Sequence, residues 1–439
     1  MAGSSKFPLA ALVDLESLID LEGGTISRKL FSDQILYQFE QEKIFARSWL
    51  FVGHESLIPN AGDFFTSYMG EESIILARGK SGEIHAMLNS CRHRGTRVCR
   101  SDHGNTAAFY CPYHGWSYDS AGRLIGVPHY AEGYQGKLDR SKWGLIPVAQ
   151  LANYKGSLWA TWDASAPPLE DYLGGMKFYL DLALDATDGQ PGGSEVIGGI
   201  QKWIVPCNWK LGAENFGVDH YHGVSHRSVD TAAIGPSGKG RRDLDGMQIV
   251  DVSFPGRGHG ASARINHNHA AVFQNYPAVA EYFKTALAQR RRQHGDGADI
   301  WGGPGTIFPN ASIQGFQPRT FALWHPRGPR ETEVWRFYLV DRDAPEEVKD
   351  VLRRYFMRYA GPGGMTEQDD MENWRTATEG ARGVIGSRYP FNYQLGLDRQ
   401  LAPNPLVPGI VTMDNLDAPS EGGQREFYRR WLRLMSAAD

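Results

Sequence analysis

From about residue 49 to 165 the chain alternates short apolar runs with turns bearing Gly, Asp and Pro. SIILAR (73–78), IHAMLN (84–89) and GSLWATW (156–162) read as strands of a small antiparallel β domain. Ahead of it, FSDQILYQFEQEKIFARSW (31–49) sets Ile35, Leu36, Phe39 and Ile44 on a helical period, with Ser32 or Asp33 placed to cap the first turn. Behind it, DASAPPLEDYLGG (163–175) marks a boundary, and the remainder mixes strands with long helices. The clearest helix is APEEVKDVLRRYFMRYAGPGG (344–364). Val348, Val351, Leu352, Tyr355, Phe356 and Tyr359 recur there on one face, and the Gly-Pro-Gly-Gly that follows stops it.

At 439 residues and 41% hydrophobic content the chain has room for two or three domains with a sizeable core. A formal charge of −4, from 46 basic and 50 acidic side chains, creates no field that would favour nucleic acid or an anionic membrane. The one basic run, QRRRQH (289–294), reads as a solvated helix end. The N-terminal apolar run stops at Asp14, too short for a signal-peptide core or a membrane span, so a cytoplasmic protein is expected. Four cysteines are too few for a disulfide framework, which makes a tight cysteine cluster in a reducing compartment a metal site.

Such a cluster stands at SCRHRGTRVCRSDHGNTAAFYCPYHGW (90–116). Cys91 and His93 form a CxH pair, Cys111 and His114 a CxxH pair, and 17 residues separate His93 from Cys111. Two cysteines and two histidines suit tetrahedral zinc or a [2Fe-2S] cluster of the Rieske kind. Zinc modules usually pair like with like, whereas each short motif here supplies one ligand of each type. A Rieske cluster needs that mixture, two cysteines on one iron and two histidines on the other. Gly95 and Gly115 fit loops whose backbone must approach the cluster closely. Cys99, Cys207, His85 and His103 fall outside both motifs and read as buried thiols and hydrogen-bonding imidazoles.

A second constellation is NWKLGAENFGVDHYHGVSHRS (208–228). If its middle is helical, Asn215, Asp219, His222 and His226 share one face. Trp209, Leu211, Phe216, Val218, Tyr221 and Val224 around them are enough to bury such a helix on most sides. Two histidines one turn apart with a carboxylate are the parts of a 2-His-1-carboxylate iron site. Spacing does not choose the carboxylate: Asp219 is local, while TEQDDMENW (366–374) offers Glu367, Asp369, Asp370 and Glu372. Those acids also fit a helix start, with Thr366 and Asp369 at capping-box spacing.

Taken together, CRHRG, CPYHGW, RSWLFVGHESLIPNAGDF (48–65), NWKLGAENFGVDHYHGVSH, LWHPRGPRETEVW (323–335) and EQDDMENW (367–374) resemble the large (alpha) subunit of the Rieske non-haem iron aromatic-ring-hydroxylating oxygenases, the naphthalene and biphenyl dioxygenase type. The resemblance implies an α+β fold. A small antiparallel β Rieske domain (49–165) would be inserted into a larger catalytic domain (1–48 and 166–439), whose antiparallel sheet is flanked by helices. It further implies that Cys91, His93, Cys111 and His114 hold the [2Fe-2S] cluster and that His222, His226 and Asp370 hold a mononuclear Fe(II). Asp219 then becomes a bridge between His222 and the His114 of a neighbouring subunit. Asn215 takes the place of an asparagine near the iron, and Phe216 that of a pocket residue. Three residues separate His222 from His226, where naphthalene- and biphenyl-type members have four or five and other members have three. His220 is expected to be structural.

A one-electron carrier beside an O₂-binding iron is the logic of a terminal oxygenase. No dinucleotide fingerprint accepts NAD(P)H directly: the nearest phosphate-loop mimic, IGPSGKG (234–240), has Ala233 and Gly240 at positions that need Gly and Ser or Thr. Electrons must therefore arrive from a separate ferredoxin or flavin reductase, and the family implies an α3 or α3β3 assembly with a small β subunit. The expected reaction is dihydroxylation of an aromatic ring to a cis-dihydrodiol. Monohydroxylation or demethylation by the same centres is the alternative, and a bare electron carrier or a structural zinc protein are readings of other classes. Phe216, Val218, Val224, Phe308, Phe316 and Met365 are the expected apolar pocket.

Overall fold

The helix placed before the β domain runs from Gln34 to Glu40, and Asp33 is its cap, accepting the N–H groups of Ile35 and Leu36 at 2.8 and 3.0 Å. Leu36, Phe39 and Ile44 are buried, whereas Ile35 faces solvent. The computed structural model describes residues 13–238, 248–265, 272–399, 402–414 and 418–437. Most of the N-terminal apolar run, and Lys239 and Gly240 of the phosphate-loop mimic, lie outside them. The chain divides into two compact units, one of Phe45–Leu169 and one of Met1–Ile44 with Glu170–Asp439.

The smaller unit is built from three antiparallel sheets. Ile84–Leu88, Glu72–Arg78, Asp63–Met69 and His103–Asn105 make a four-stranded sheet in that order, and Gln150–Tyr154, Ser157–Thr161 and Leu50–His54 a three-stranded one. The third is a short sheet of Leu124–Gly126, Ser117–Tyr118 and Phe109–Tyr110. Phe64, Ile75, Met87, Trp116 and Tyr118 pack in one core with Cys91 and Cys111.

The larger unit is organised by an eight-stranded sheet, antiparallel throughout. Its order is Ser194–Val205, Thr332–Asp341, Thr320–Pro326, Ala311–Gln314, Ile300–Ile307, His259–Ile265, Gln248–Phe254 and Ile410–Asp414. Helix Trp209–Phe216 lies on the middle strands, Gly422–Ser436 on the strands around 248–265, and Pro277–His294 packs on Glu346–Tyr359. In the last helix Val348, Leu352, Tyr355 and Phe356 are buried as the periodicity predicts, with Val351 and Tyr359 at the edge of that core. The basic run at 289–294 is not wholly solvated. Arg290 is buried, giving a hydrogen bond to the Ile300 carbonyl and stacking over Trp301. The helix end folds back on the adjacent strand, so this long stem finds an aromatic face.

Three elements meet on one buried carboxylate. Glu40 accepts hydrogen bonds from Lys210 Nζ (2.6 Å), Trp431 Nε1 (2.7 Å) and Trp209 Nε1 (2.8 Å). Burial pulls the Lys210 ammonium below its ordinary range, and Glu40 opposes that shift. Glu40→Gln would strand a buried cation and is expected to cost about 3–5 kcal/mol. Denaturant unfolding measures this, and a loss below ~1 kcal/mol would show that the charge contributes little.

Candidate metal centres and active site

In the smaller unit, two turns of the same construction carry the Cys/His pairs. Cys91 N–H donates to the Thr96 carbonyl and Gly95 N–H to Cys91; twenty residues on, Cys111 N–H donates to Trp116 and Gly115 N–H to Cys111. Gly95 and Gly115 take φ of 77° and 71°, a region that penalises side chains. Each turn sends its cysteine inward and its histidine outward. Cys91 and Cys111 are buried, His93 is half-buried and His114 exposed, and the two Nδ1 atoms stand 3.1 Å apart. Trp116 stacks on His93 at 5.0 Å. Burial, reinforced by the Cys91 sulfur, holds the Cys111 thiol above its ordinary range, so a bound cation is what would keep that sulfur a thiolate. This donor set fits a Rieske cluster. Cys99 and Cys207 are buried free thiols, His103 is exposed, and His85 pairs with Glu83.

The 208–228 segment is not one continuous helix. Helix Trp209–Phe216 stops at Gly217, Val218 turns at φ +82°, and a 3₁₀ helix runs from His220 to His226. A positive φ is rare for a β-branched residue. The turn is enclosed by Gly260 and Gly423, where an added Cβ would stand 2.8 and 2.6 Å from the Gly217 carbonyl. Asp219 caps the 3₁₀ helix, accepting His222 N–H, and lies 3.5 Å from Asn215 Nδ2. Tyr221 and Val224 are exposed, at 64% and 75%, and do not help to bury the segment as the sequence suggests. His220 turns away to Asp251, at 2.8 Å.

His222, His226 and Asp370 converge. Their Nε2 atoms are 3.1 Å apart, and Asp370 Oδ1 lies 3.7 Å from His222 and 3.4 Å from His226. Each Nδ1 is already committed, that of His222 to the Asp219 carbonyl and that of His226 to Asp369 Oδ2 at 3.3 Å. As neutral rings they would aim lone pairs at each other and at a carboxylate oxygen, an arrangement that a bound cation would satisfy. With metal–ligand bonds of about 2.1 Å, neighbouring donors would sit roughly 3 Å apart, close to what is seen.

Asp370 belongs to helix Met365–Arg382, whose first turn is pinned rather than capped. Thr366 is not the N-cap: its hydroxyl donates to the Tyr359 carbonyl, so the capping-box reading fails. Glu367 takes a bidentate pair from Arg336 at 2.8–3.0 Å, both side chains buried, and also accepts Gly361 N–H. Asp369 accepts from Ser228 at 2.7 Å as well as from His226. Among the four acids, the structure thus separates a structural one, a histidine-orienting one and one that joins the histidines.

The triad opens on a cavity of about 600 Å³. Phe216 and Val224 line it; Val218, Phe308, Phe316 and Met365 do not. Phe308 packs on Phe427, and Phe316 joins Leu287 and Trp301 in a separate core. The missing walls come from sheet strands: Ile249, Arg264, Pro304, Gln314, Thr320 and Arg336. Only Arg336 left a trace in the sequence, as the single charge within the apolar run VWRFYLV. Glu214, also missed, accepts the Tyr393 hydroxyl on both oxygens at 2.9 Å; burial pushes its carboxyl up to about 8, with the charges of Asp219 and Glu421 adding to the effect.

A family model described as the ring hydroxylating alpha subunit (catalytic domain) matches residues 169–437, and one for the Rieske [2Fe-2S] domain matches residues 48–153. The chain belongs to the ring-hydroxylating alpha-subunit family. It is 41% identical to the biphenyl 2,3-dioxygenase alpha subunit of Rhodococcus jostii, over 99% of this chain and 94% of that one. To a benzene 1,2-dioxygenase alpha subunit of Pseudomonas putida it is 40% identical, over 97% and 94%. A solved naphthalene 1,2-dioxygenase variant bound to phenanthrene superposes with a TM-score of 0.86 at 30% identity, covering 97% of this chain and 96% of that one. This ring-hydroxylating alpha subunit is therefore an oxidoreductase of the aromatic dioxygenase class, with a Rieske [2Fe-2S] domain and a catalytic domain that binds mononuclear iron. Among its described residues no helix is long and apolar enough to cross a membrane.

Two outcomes are expected. Asp369→Ala removes the acceptor that orients His226 and should weaken iron retention about 10–100-fold, read as iron content after chelator dialysis; unchanged retention would leave Asp369 without that role. The Tyr118 hydroxyl lies 3.3 Å from Cys91 Sγ, so Tyr118→Phe should lower the cluster's midpoint potential by on the order of 50 mV in a redox titration.

Proposed function

We propose that the chain is the terminal oxygenase component that adds both atoms of O₂ to an aromatic ring to give a cis-dihydrodiol. Electrons from NAD(P)H would reach it through a ferredoxin, a flavin reductase or both, in the cytoplasm. The observation that carries this reading is the convergence of His222, His226 and Asp370 on a cavity of about 600 Å³, within the size range of small-molecule sites. In this reading Cys91, His93, Cys111 and His114 hold the cluster. His222, His226 and Asp370 would hold iron, which would supply O₂ binding.

The chain's own residues position the substrate. Phe216 offers a flat aromatic wall, packed against the Arg336 guanidinium 4.6 Å from its centroid and against Trp324 at 5.6 Å. Val224 and Ile249 add apolar surface beside it. Asp219 is partly exposed while it caps the helix of His222, and His114 is exposed on the smaller unit. This accessibility supports contact between Asp219 of one copy and His114 of another, in an α3 assembly alone or with a small β subunit. Such a contact would carry an electron from cluster to triad across a subunit boundary.

Under ¹⁸O₂ the product diol is expected to carry two labels; a single label would make the enzyme a monooxygenase. Asp370→Ala should keep the visible spectrum and reducibility of the cluster and lose product formation. Turnover by that variant would remove Asp370 from the triad.

A further inference from the structure

The cavity has a polar floor that a hydrocarbon does not use. Gln314 ends the strand Ala311–Gln314, paired with Pro304 on one side and Thr320 on the other, and all three line the cavity. Its amide is not free to flip. Nε2 donates to the Pro318 carbonyl at 2.9 Å and to the Phe316 carbonyl at 3.2 Å. A flipped amide would set oxygen against two carbonyl oxygens. Both N–H groups are thereby spent, and Oε1 is the atom left over. Among the described residues nothing donates to it, on a half-buried side chain that lines the cavity. The Arg336 guanidinium, which also lines the cavity, is held by Glu367 and donates to Thr320 Oγ1 at 3.4 Å.

We infer that Gln314 is a specificity-determining residue that selects aromatic substrates bearing an N–H or O–H donor, and that its Oε1 accepts that proton. The inference rests on the cavity being the substrate site of the proposed oxygenase. Its physical basis is an asymmetry of desolvation. In the empty cavity water can satisfy Oε1. A hydrocarbon displaces that water and leaves a buried acceptor unpaired, whereas a donor-bearing ring replaces it. A site built to meet a polar group rejects the analogue that lacks it more strongly than an apolar pocket rejects a change in size. The orientation also matters for chemistry, because a donor anchored on Gln314 fixes which ring edge faces the triad.

Three tricyclic ligands of nearly one shape test this: carbazole with N–H, fluorene with CH₂, and dibenzofuran with a lone pair at the same position. Dissociation constants would be measured on the iron-loaded, oxidised full-length protein, without turnover. Wild type is expected to bind carbazole about ten-fold or more tightly than fluorene, with dibenzofuran no tighter than fluorene. In Gln314→Leu the carbazole-to-fluorene ratio should collapse towards one. Equal binding of carbazole and fluorene by wild type, or a ratio that survives in Gln314→Leu, overturns the inference. The wild-type comparison needs no variant, so it stands even if Gln314→Leu folds poorly. Product analysis with the same ligands reads the oxygenase proposal separately. Selective binding of carbazole with no oxidised product would support the role of Gln314 and count against ring oxidation.

Discussion

The Arg336–Glu367 ion pair is the contact on which the catalytic geometry depends. It is bidentate and buried, and it ties the strand Thr332–Asp341 to the first turn of the helix that carries Asp370. Removing either partner would leave an uncompensated charge inside the unit, at a cost of about 3–5 kcal/mol. The same guanidinium lies against Phe216 and Trp324. A single charged group therefore sets both the position of the triad's carboxylate and the aromatic wall of the cavity. Thr366 and Gly361 add hydrogen bonds that fold the end of one helix onto the start of the next.

On the opposite side of the triad, the histidines depend on a break rather than on a helix. The turn at Gly217–Val218 ends one helix early, and Asp219 begins a tighter one, so that His222 and His226 swing towards Asp370. The break is stabilised from outside, by two glycines whose missing side chains admit the Gly217 carbonyl. A strained residue that persists because its surroundings over-determine it is common at functional sites. Here the enclosure has a specific effect: it makes Asp219 an N-cap and leaves its carboxylate partly open to solvent.

The Rieske unit works by the opposite principle, repetition of a local turn. Both ligand turns close with the same pair of backbone hydrogen bonds, and the core beneath them includes both cysteines. Donor atoms within a few residues of each other need little more than that turn to be placed. For the same reason CxH and CxxH stand out as candidate ligand pairs, and the helices at 34–40 and 346–359 and the strands at 72–78, 84–88 and 157–161 were legible in the sequence.

Periodicity failed where a distant partner decided the outcome. Arg290 belongs to a run that reads as solvated, yet Trp301 and a strand carbonyl draw it in. The pocket could not be read from apolar residues alone, since its floor comes from sheet strands and is partly polar. By itself the sequence determined the chemistry available: soft and imidazole donors in two short turns, two histidines beside a carboxylate, and enough apolar surface for several cores. Only the tertiary structure decided which of five acids approaches both histidine Nε2 atoms and which strands wall the cavity. Those choices rest on contacts between residues far apart in the chain, and such contacts exist only once the sheet and its helices have packed.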